Sequence, residues 1–289
     1  MGEARGARSE ERERICRNTF VRYVEIHDEL GSTNDRALEL MRDPQLELPA
    51  LVLARRQTAG RGRGSNVWWS AEGALTFSLV IEPQEFGVSV ANWPQLSLAV
   101  AVAVCDTIGE QLRRGVRGDE GGDTPARWGA CESERTRRVA VKWPNDVMVD
   151  DAKVCGILIE SPAGAATAKP RLVIGIGINV NNSWRKAPHD PPVPGTALCD
   201  VTGRVHDAAD VLITTLQQLE FRLRQLGGNA PELQHSWREC SWLTGHRVEV
   251  QSSGTPIYGE CAGIADDGAL VVQTAAGAQR FISATVRRI

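Results

Sequence analysis

The amino-acid sequence predicts an α+β fold: a mixed β-sheet with helices, followed by a small antiparallel barrel. Strand-length apolar runs bounded by turn residues recur at 51–54, 75–81, 139–142, 154–159 and 172–180. Helical spacing interrupts and follows them, most clearly at 207–226, where Val211, Leu212, Leu216, Leu219, Phe221, Leu223 and Leu226 recur at helical intervals. From His246 the character changes to short strands, RVEV, PIYGECAGIA, DDGALVV and AQRFISATV, with Asp266-Asp267-Gly268 and Ala276-Gly277 as tight turns. The expected division is a mobile charged tail over 1–19, a principal domain over 20–243 and the barrel over 244–289.

In chain order, residues 1–18 mix Arg and Glu without a sustained apolar face, which predicts the tail. Residues 20–26 alternate apolar and polar side chains, as a half-buried strand does, and GSTN at 31–34 turns the chain into a helix over 34–41. Ser32 or Thr33 suits the N-cap of that helix; the free N–H groups there could also bind a small polar ligand. Residues 73–81 read as a strand, and 93–112, containing LAVAVAV, as a helix apolar on all sides and therefore buried between layers. Residues 113–138 are polar, glycine-rich and without period, the composition of a long mobile insertion. A strand then ends at Lys142, Trp143-Pro144-Asn145-Asp146 turns, and 147–149 with 154–159 form a hairpin about Asp150-Asp151.

The run LVIGIGINV at 172–180 is another strand. Its Gly175 and Gly177 lack the third glycine and the following helix of a dinucleotide fingerprint, so they read as points of close backbone approach within the sheet. In the loop over 182–194, His189 has no partner at metal-ligand spacing. A last helix over 231–242 opens with Pro231, as first turns tolerate.

Composition narrows the function. With 289 residues, 42% hydrophobic and 24% charged, the chain can bury a substantial core, and a formal net charge of −3 gives no general affinity for DNA or an anionic membrane. No apolar run approaches the ~20 residues that span a bilayer, and the charged start is unlike a signal peptide, so a cytoplasmic location is expected. The seven cysteines are scattered without a CxxC pair, which argues against a disulfide framework and a zinc site.

Two stretches carry chemistry. QTAGRGRGSNVWWS at 57–70 lies between two strands; Gly60, Gly62 and Gly64 allow positive φ and close approach to a ligand, and Arg61 and Arg63 can fork onto phosphate or carboxylate oxygens. Trp68 and Trp69 offer flat faces on which a ring could stack, although they suit a core equally well. VAVKWPNDVMVDDAKVCGILIE at 139–160 places Lys142 at a strand end, where an edge lysine is the simpler account, but Trp143, Pro144, Asn145 and Asp146 crowd beside it.

GSTN at 31–34, QTAGRGR at 57–63, KWPND at 142–146, KVCGILIE at 153–160 and GIGIN at 175–179 stand in the order and spacing of the biotin protein ligases, and the resemblance covers about 23–289. It implies a class II aminoacyl-tRNA synthetase-like catalytic domain with an SH3-like C-terminal barrel. Among family members this chain resembles the shorter, monofunctional ones without an N-terminal DNA-binding domain. The implied reaction joins biotin to MgATP as biotinyl-5′-AMP, then passes the biotinyl group to a lysine of a biotin carboxyl carrier domain, of acetyl-CoA carboxylase or similar.

By the resemblance, Lys142, Arg61 and Arg63 are the catalytic cations, converging where two anions must meet. Ser32, Thr33, Asn34, Gln57, Gly60, Gly62 and Gly156 join them in holding biotin; Trp68, Asn145, Asp146 and Asn179 join them in holding ATP; and Asp146 holds Mg²⁺ or orients the acceptor amine. A homodimer is compatible with the family. The family's usual loop reads GRGRRG, and here Gly64-Ser65 replaces its final Arg-Gly, which implies a looser lid. The rivals are a lipoate or octanoate ligase or transferase, whose usual RRxxGGG segment is missing, and a non-catalytic biotin sensor, against which the intact Lys142 argues.

Overall fold

The computed structural model describes residues 2–116, 137–161, 169–187, 194–252 and 254–289. Most of the expected 113–138 insertion, and His189, lie outside the described residues. Strands β1 (Tyr23–Leu30), β2 (Ala50–Gln57), β3 (Ala74–Ile81), β4 (Val139–Lys142), β5 (Asp146–Val149), β6 (Ala152–Glu160) and β7 (Leu172–Asn179) form one sheet in the order β1-β2-β3-β7-β6-β5-β4. Only β1 and β2 pair in parallel, joined through helix α2 (Thr33–Leu40), so the sheet is mixed.

Period-two alternation explains the layers. In β2, Leu51 and Leu53 face a core with Phe77, Leu79 and Ile174, whereas Ala50 and Val52 face a second core with Ala37, Met41, Val80 and Val173. Helices α3 (Leu96–Val116), α5 (Ala208–Gly227) and α6 (Pro231–Glu239) cover the first face, with α4 (Leu198–Thr202) beside α3. Helix α2 covers part of the second face, and the remainder carries the candidate site.

Several boundaries differ from expectation. The opening segment is not an unattached tail: it forms α1 (Gly2–Asn18), whose Ile15 is fully buried. Alternation was not the signal here; one apolar side chain suffices because Arg14 reaches Asp207 and Asp210, and Gln217 donates to the Asn18 carbonyl. The first strand starts at Tyr23 rather than residue 20, and α3 starts at Leu96, after a 3-10 turn over Val90–Gln95 that contains Pro94. After α6, which ends at Glu239, the chain forms β8 (Arg247–Gln251), β9 (Ile257–Ile264), β10 (Leu270–Thr274), β11 (Gly277–Phe281) and β12 (Thr285–Arg288). These make an antiparallel sheet in the order β11-β10-β9-β8-β12 around Val248, Val250, Leu270, Val272 and Val286, as the barrel reading requires. Trp143 Nε1 donates to the Gly268 carbonyl at 3.0 Å and ties this sheet to the larger one.

Candidate active site

Strand register builds a trough on the second face. Lys142 pairs with Asp146, Asp146 with Gly156, Gly156 with Gly177 and Gly177 with Thr76, so one row across five strands points to one side. The neighbouring row runs Leu158, Gly175, Ser78. At about 4.8 Å per strand, Lys142 stands roughly 14 Å from Gly177.

Glycines hollow the floor of this trough because side chains descend onto it. A Cβ at Gly175 would lie 2.0 Å from Asn34 Oδ1, and one at Gly177 would lie 2.4 Å from Trp68 Cε2. These glycines therefore admit side chains, not the neighbouring backbone that the sequence suggested. Trp68 covers the middle of the trough; its Nε1 is buried without a hydrogen-bond partner, and Lys153 Nζ stands 5.7 Å from its ring centroid.

One end is built on α2. Ser32 is its N-cap, accepting from Asp35 N at 3.5 Å, so the capping account holds. Thr33 donates from both N (2.7 Å) and Oγ1 (3.0 Å) to Gln57 Oε1, which leaves the Gln57 amide N–H groups for another partner. Ser78 Oγ lies 2.7 Å from Thr33 Oγ1 and 2.5 Å from Asn34 Oδ1, and Asn34 Nδ2 donates to Glu160 Oε2 at 2.9 Å.

The opposite end carries the cations. Burial depresses the Lys142 pKa, Asp146 opposes that shift, and the like charges of Lys153 and Arg287 add to it. Its ammonium lies 5.7 Å from the Trp242 ring centroid. Asp146 Oδ1 is 2.6 Å from Lys153 Nζ. Lys153 was read only as the start of a motif, and for a physical reason. Counting back from Gly156, strict alternation turns it to the other face, but a register shift between Val147 and Met148 pairs it with Met148 and returns it to the trough. Glu160, by contrast, was legible on the Gly156 face by period two, and was read only as the end of a motif.

The arginine loop is a hairpin. Arg61 bridges Val67, Gly62 N donates to the Asn66 carbonyl at 2.8 Å, and Trp68 N donates to the Gly60 carbonyl at 2.9 Å. Of its three glycines only Gly64 has positive φ (67°), at the tip. The three expected catalytic cations have separate partners. Arg61 forks onto Glu160 at 2.9 and 2.6 Å and also meets Asp35 at 2.8 Å, Arg63 donates to the Ala284 carbonyl at 2.5 Å, and the Lys142 ammonium lies over Trp242.

The other expected nucleotide contacts are engaged within the protein. Asn145 Nδ2 donates to the Ile157 carbonyl at 2.8 Å, and buried Asn179 donates to the Thr196 carbonyl at 3.0 Å and accepts from Asn182 at 2.9 Å. Among the described residues no group of three His, Cys, Asp or Glu could hold a metal by itself, and no helix is long and apolar enough to cross a membrane.

Residues 28–179 match the model of the biotin/lipoate A/B protein ligase family, and 244–286 that of the biotin protein ligase C-terminal domain. The chain is 32% identical over 267 residues to the bifunctional ligase/repressor BirA of Bacillus subtilis, covering 91% of this chain and 73% of that one. It is 31% identical to the biotin--[acetyl-CoA-carboxylase] ligase of Paracoccus denitrificans, over 88% of this chain and 96% of that one. Among solved structures, the Aquifex aeolicus biotin protein ligase in complex with biotin and ATP superposes with a TM-score of 0.72 at 26% identity, covering 93% of this chain and all of that one.

Proposed function

This chain belongs to the biotin/lipoate A/B protein ligase family, and on that premise we propose how its residues carry out the ligation of biotin to a carrier protein. It is a ligase that uses biotin and ATP. The observation that carries the reading is the row Lys142, Asp146, Gly156, Gly177: a narrow glycine-floored trough with hydrogen-bonding groups at one end and a desolvated ammonium at the other. Such a trough suits a long acid with a polar head group.

In the first step a carboxylate oxygen of biotin bonds to the α-phosphorus of ATP, and the bond to the β-phosphate oxygen breaks, releasing pyrophosphate. Two anions approach, and Lys142 offsets the charge that grows between them; its dry surroundings strengthen that effect. Gln57, with Ser32, Thr33 and Asn34, receives the ureido group. Gly60, Gly62 and Gly156 let the hairpin and β6 lie close to the ligand. Trp68, whose indole rests on Gly156 and Gly177, lifts from that floor as the ligand enters and closes over it with Arg63, and Asn145 and Asn179 bound the nucleotide side. Magnesium would arrive with ATP and would supply charge neutralisation at the phosphates; Asp146, whose Oδ1 is 2.6 Å from Lys153 Nζ, is the carboxylate that would help hold it once Lys153 yields.

In the second step the uncharged amine of a carrier lysine bonds to the acyl carbon, the C–O bond to AMP breaks, and the amine proton goes to solvent. The acceptor we infer is a biotin carboxyl carrier domain, and the reaction belongs in the cytoplasm. The test is a labelling assay with purified protein, a carrier domain, ATP and biotin or lipoate. Carrier biotinylation with pyrophosphate release supports the reading. Release with lipoate alone transfers it to the rival acid, and biotin binding without transfer makes the protein a sensor.

A further inference from the structure

Arg61 and Arg63 stand two residues apart in one hairpin, yet their surroundings are opposite. Arg63 meets a neutral carbonyl, that of Ala284. Arg61 meets two carboxylates: Glu160 takes one hydrogen from each terminal nitrogen, and Asp35 Oδ1 lies 2.8 Å from the same Nη2. One cation between two anions leaves a net negative patch, which repels a phosphate. Glu160 is itself fixed, because Asn34 Nδ2 donates to its Oε2 while resting on Gly175. The hairpin arm that begins at Gly60 is thus clamped to the end of β6 and the first turn of α2.

We propose that Glu160, assisted by Asp35, is a positioning residue that latches the 60–68 hairpin shut through Arg61. Arg61 retains the acyl-adenylate by holding the lid, not by contacting phosphate. Arg63, whose charge has no acidic partner among the described contacts, is the hairpin arginine that faces the anion. The proposal rests on the ligase reading for its consequence, retention of the intermediate, but the latch itself is independent of that reading.

Four variants test it: Glu160→Gln, Arg61→Glu, the exchange Arg61→Glu/Glu160→Arg, and Asp35→Asn. Leakage is read as biotin label on bystander albumin in the presence of biotin and ATP, and chemistry as first-turnover pyrophosphate release. Glu160→Gln should raise leakage about fivefold, the scale of one partly exposed charged pair, with first-turnover release within about twofold of the unchanged protein. The charge exchange should bring leakage back to within about twofold of it. An exchange that stays as leaky as Arg61→Glu, or a Glu160→Gln protein whose first turnover slows as much as it leaks, overturns the proposal. Should the exchange fail to fold, Asp35→Asn decides, since Asp35 is exposed: about a twofold rise is expected, and no rise removes Asp35 from the latch. Trypsin cleavage after Arg63 in ligand-free protein needs no activity. It should be about fivefold faster in Glu160→Gln, and equal rates refute the latch even if biotin proves the wrong acid. Conversely, a latch seen by trypsin alongside no pyrophosphate release from biotin rejects the ligase reading alone.

Discussion

Replacing Gly177 by alanine should damage the first chemical step out of proportion to the one methyl group it adds. That Cβ would stand 2.4 Å from Trp68 Cε2 and 2.6 Å from its Cζ2 and Nε1. Ordinary contact needs about 3.5–4.0 Å, so the indole must retreat by more than 1 Å or the strand must bend. The strand has little freedom to bend, because β7 pairs along its length with β3 on one side and β6 on the other. The indole therefore moves, and with it the closing arm of the hairpin. Overpacking of this kind costs about 1–3 kcal/mol in stability, and a misplacement of about 1 Å costs about 10²-fold in rate. The assay is pyrophosphate release from biotin and ATP beside thermal unfolding. We expect a loss of about 30- to 100-fold with the fold retained. A Gly177→Ala protein within about threefold of the unchanged rate would mean that seating Trp68 does not require this glycine.

Lys142→Ala should lower adenylate formation about 10²-fold, the effect of removing one stabiliser of growing charge, while leaving thermal stability unchanged or raised because a desolvated ammonium is lost. Since burial lowers the pKa of that ammonium from 10.5, the rate should fall as pH rises through a value below 10.5; an alkaline limb shared by Lys142→Ala would assign it to another group. Lys153→Met removes the partner of Asp146 and the cation over Trp68, and a loss of about tenfold is expected in pyrophosphate release; no loss would return Lys153 to a structural role. Away from the site, burial alone would raise Glu25, but hydrogen bonds from Arg36, His27 and Tyr23 prevail and hold it at about 2, against 4.5 unperturbed. A depressed carboxylate stabilises the fold fully above 4.5 and loses that contribution as pH falls toward 2. Because Arg36 is about a third exposed, we expect about 1 kcal/mol, so between pH 5 and 2.5 the unfolding temperature should drop about 3 °C more than in Glu25→Gln; parallel curves would count against the cluster.

Much of this was legible in the residues because periodicity and turn chemistry act locally. The runs that became β3 and β7 were visible as uninterrupted apolar stretches since both of their faces are covered. The motifs at 31–34, 57–63, 142–146, 153–160 and 175–179 come together because three of them end or cross strands at one row of the register. What stayed hidden depends on the third dimension. The bulge that turns Lys153 inward is a one-residue mismatch between two strands, with no signature in either. Similarly, that Gly175 seats Asn34 while Gly177 seats Trp68 could not be told from GIGIN, where both look alike. The order of α1 escaped notice because its attachment rests on one buried side chain, Ile15, and on ion pairs to Asp207 and Asp210, far along the chain.

We infer that a carboxylate and ATP meet at Lys142, beside the strand row that includes Gly156 and Gly177. It is tested most directly by single-turnover pyrophosphate release from ATP with biotin, comparing the unchanged protein with Lys142→Ala. Biotin-dependent release should fall about 10²-fold in the variant. Release that is independent of biotin, or equal in the two proteins, would contradict it.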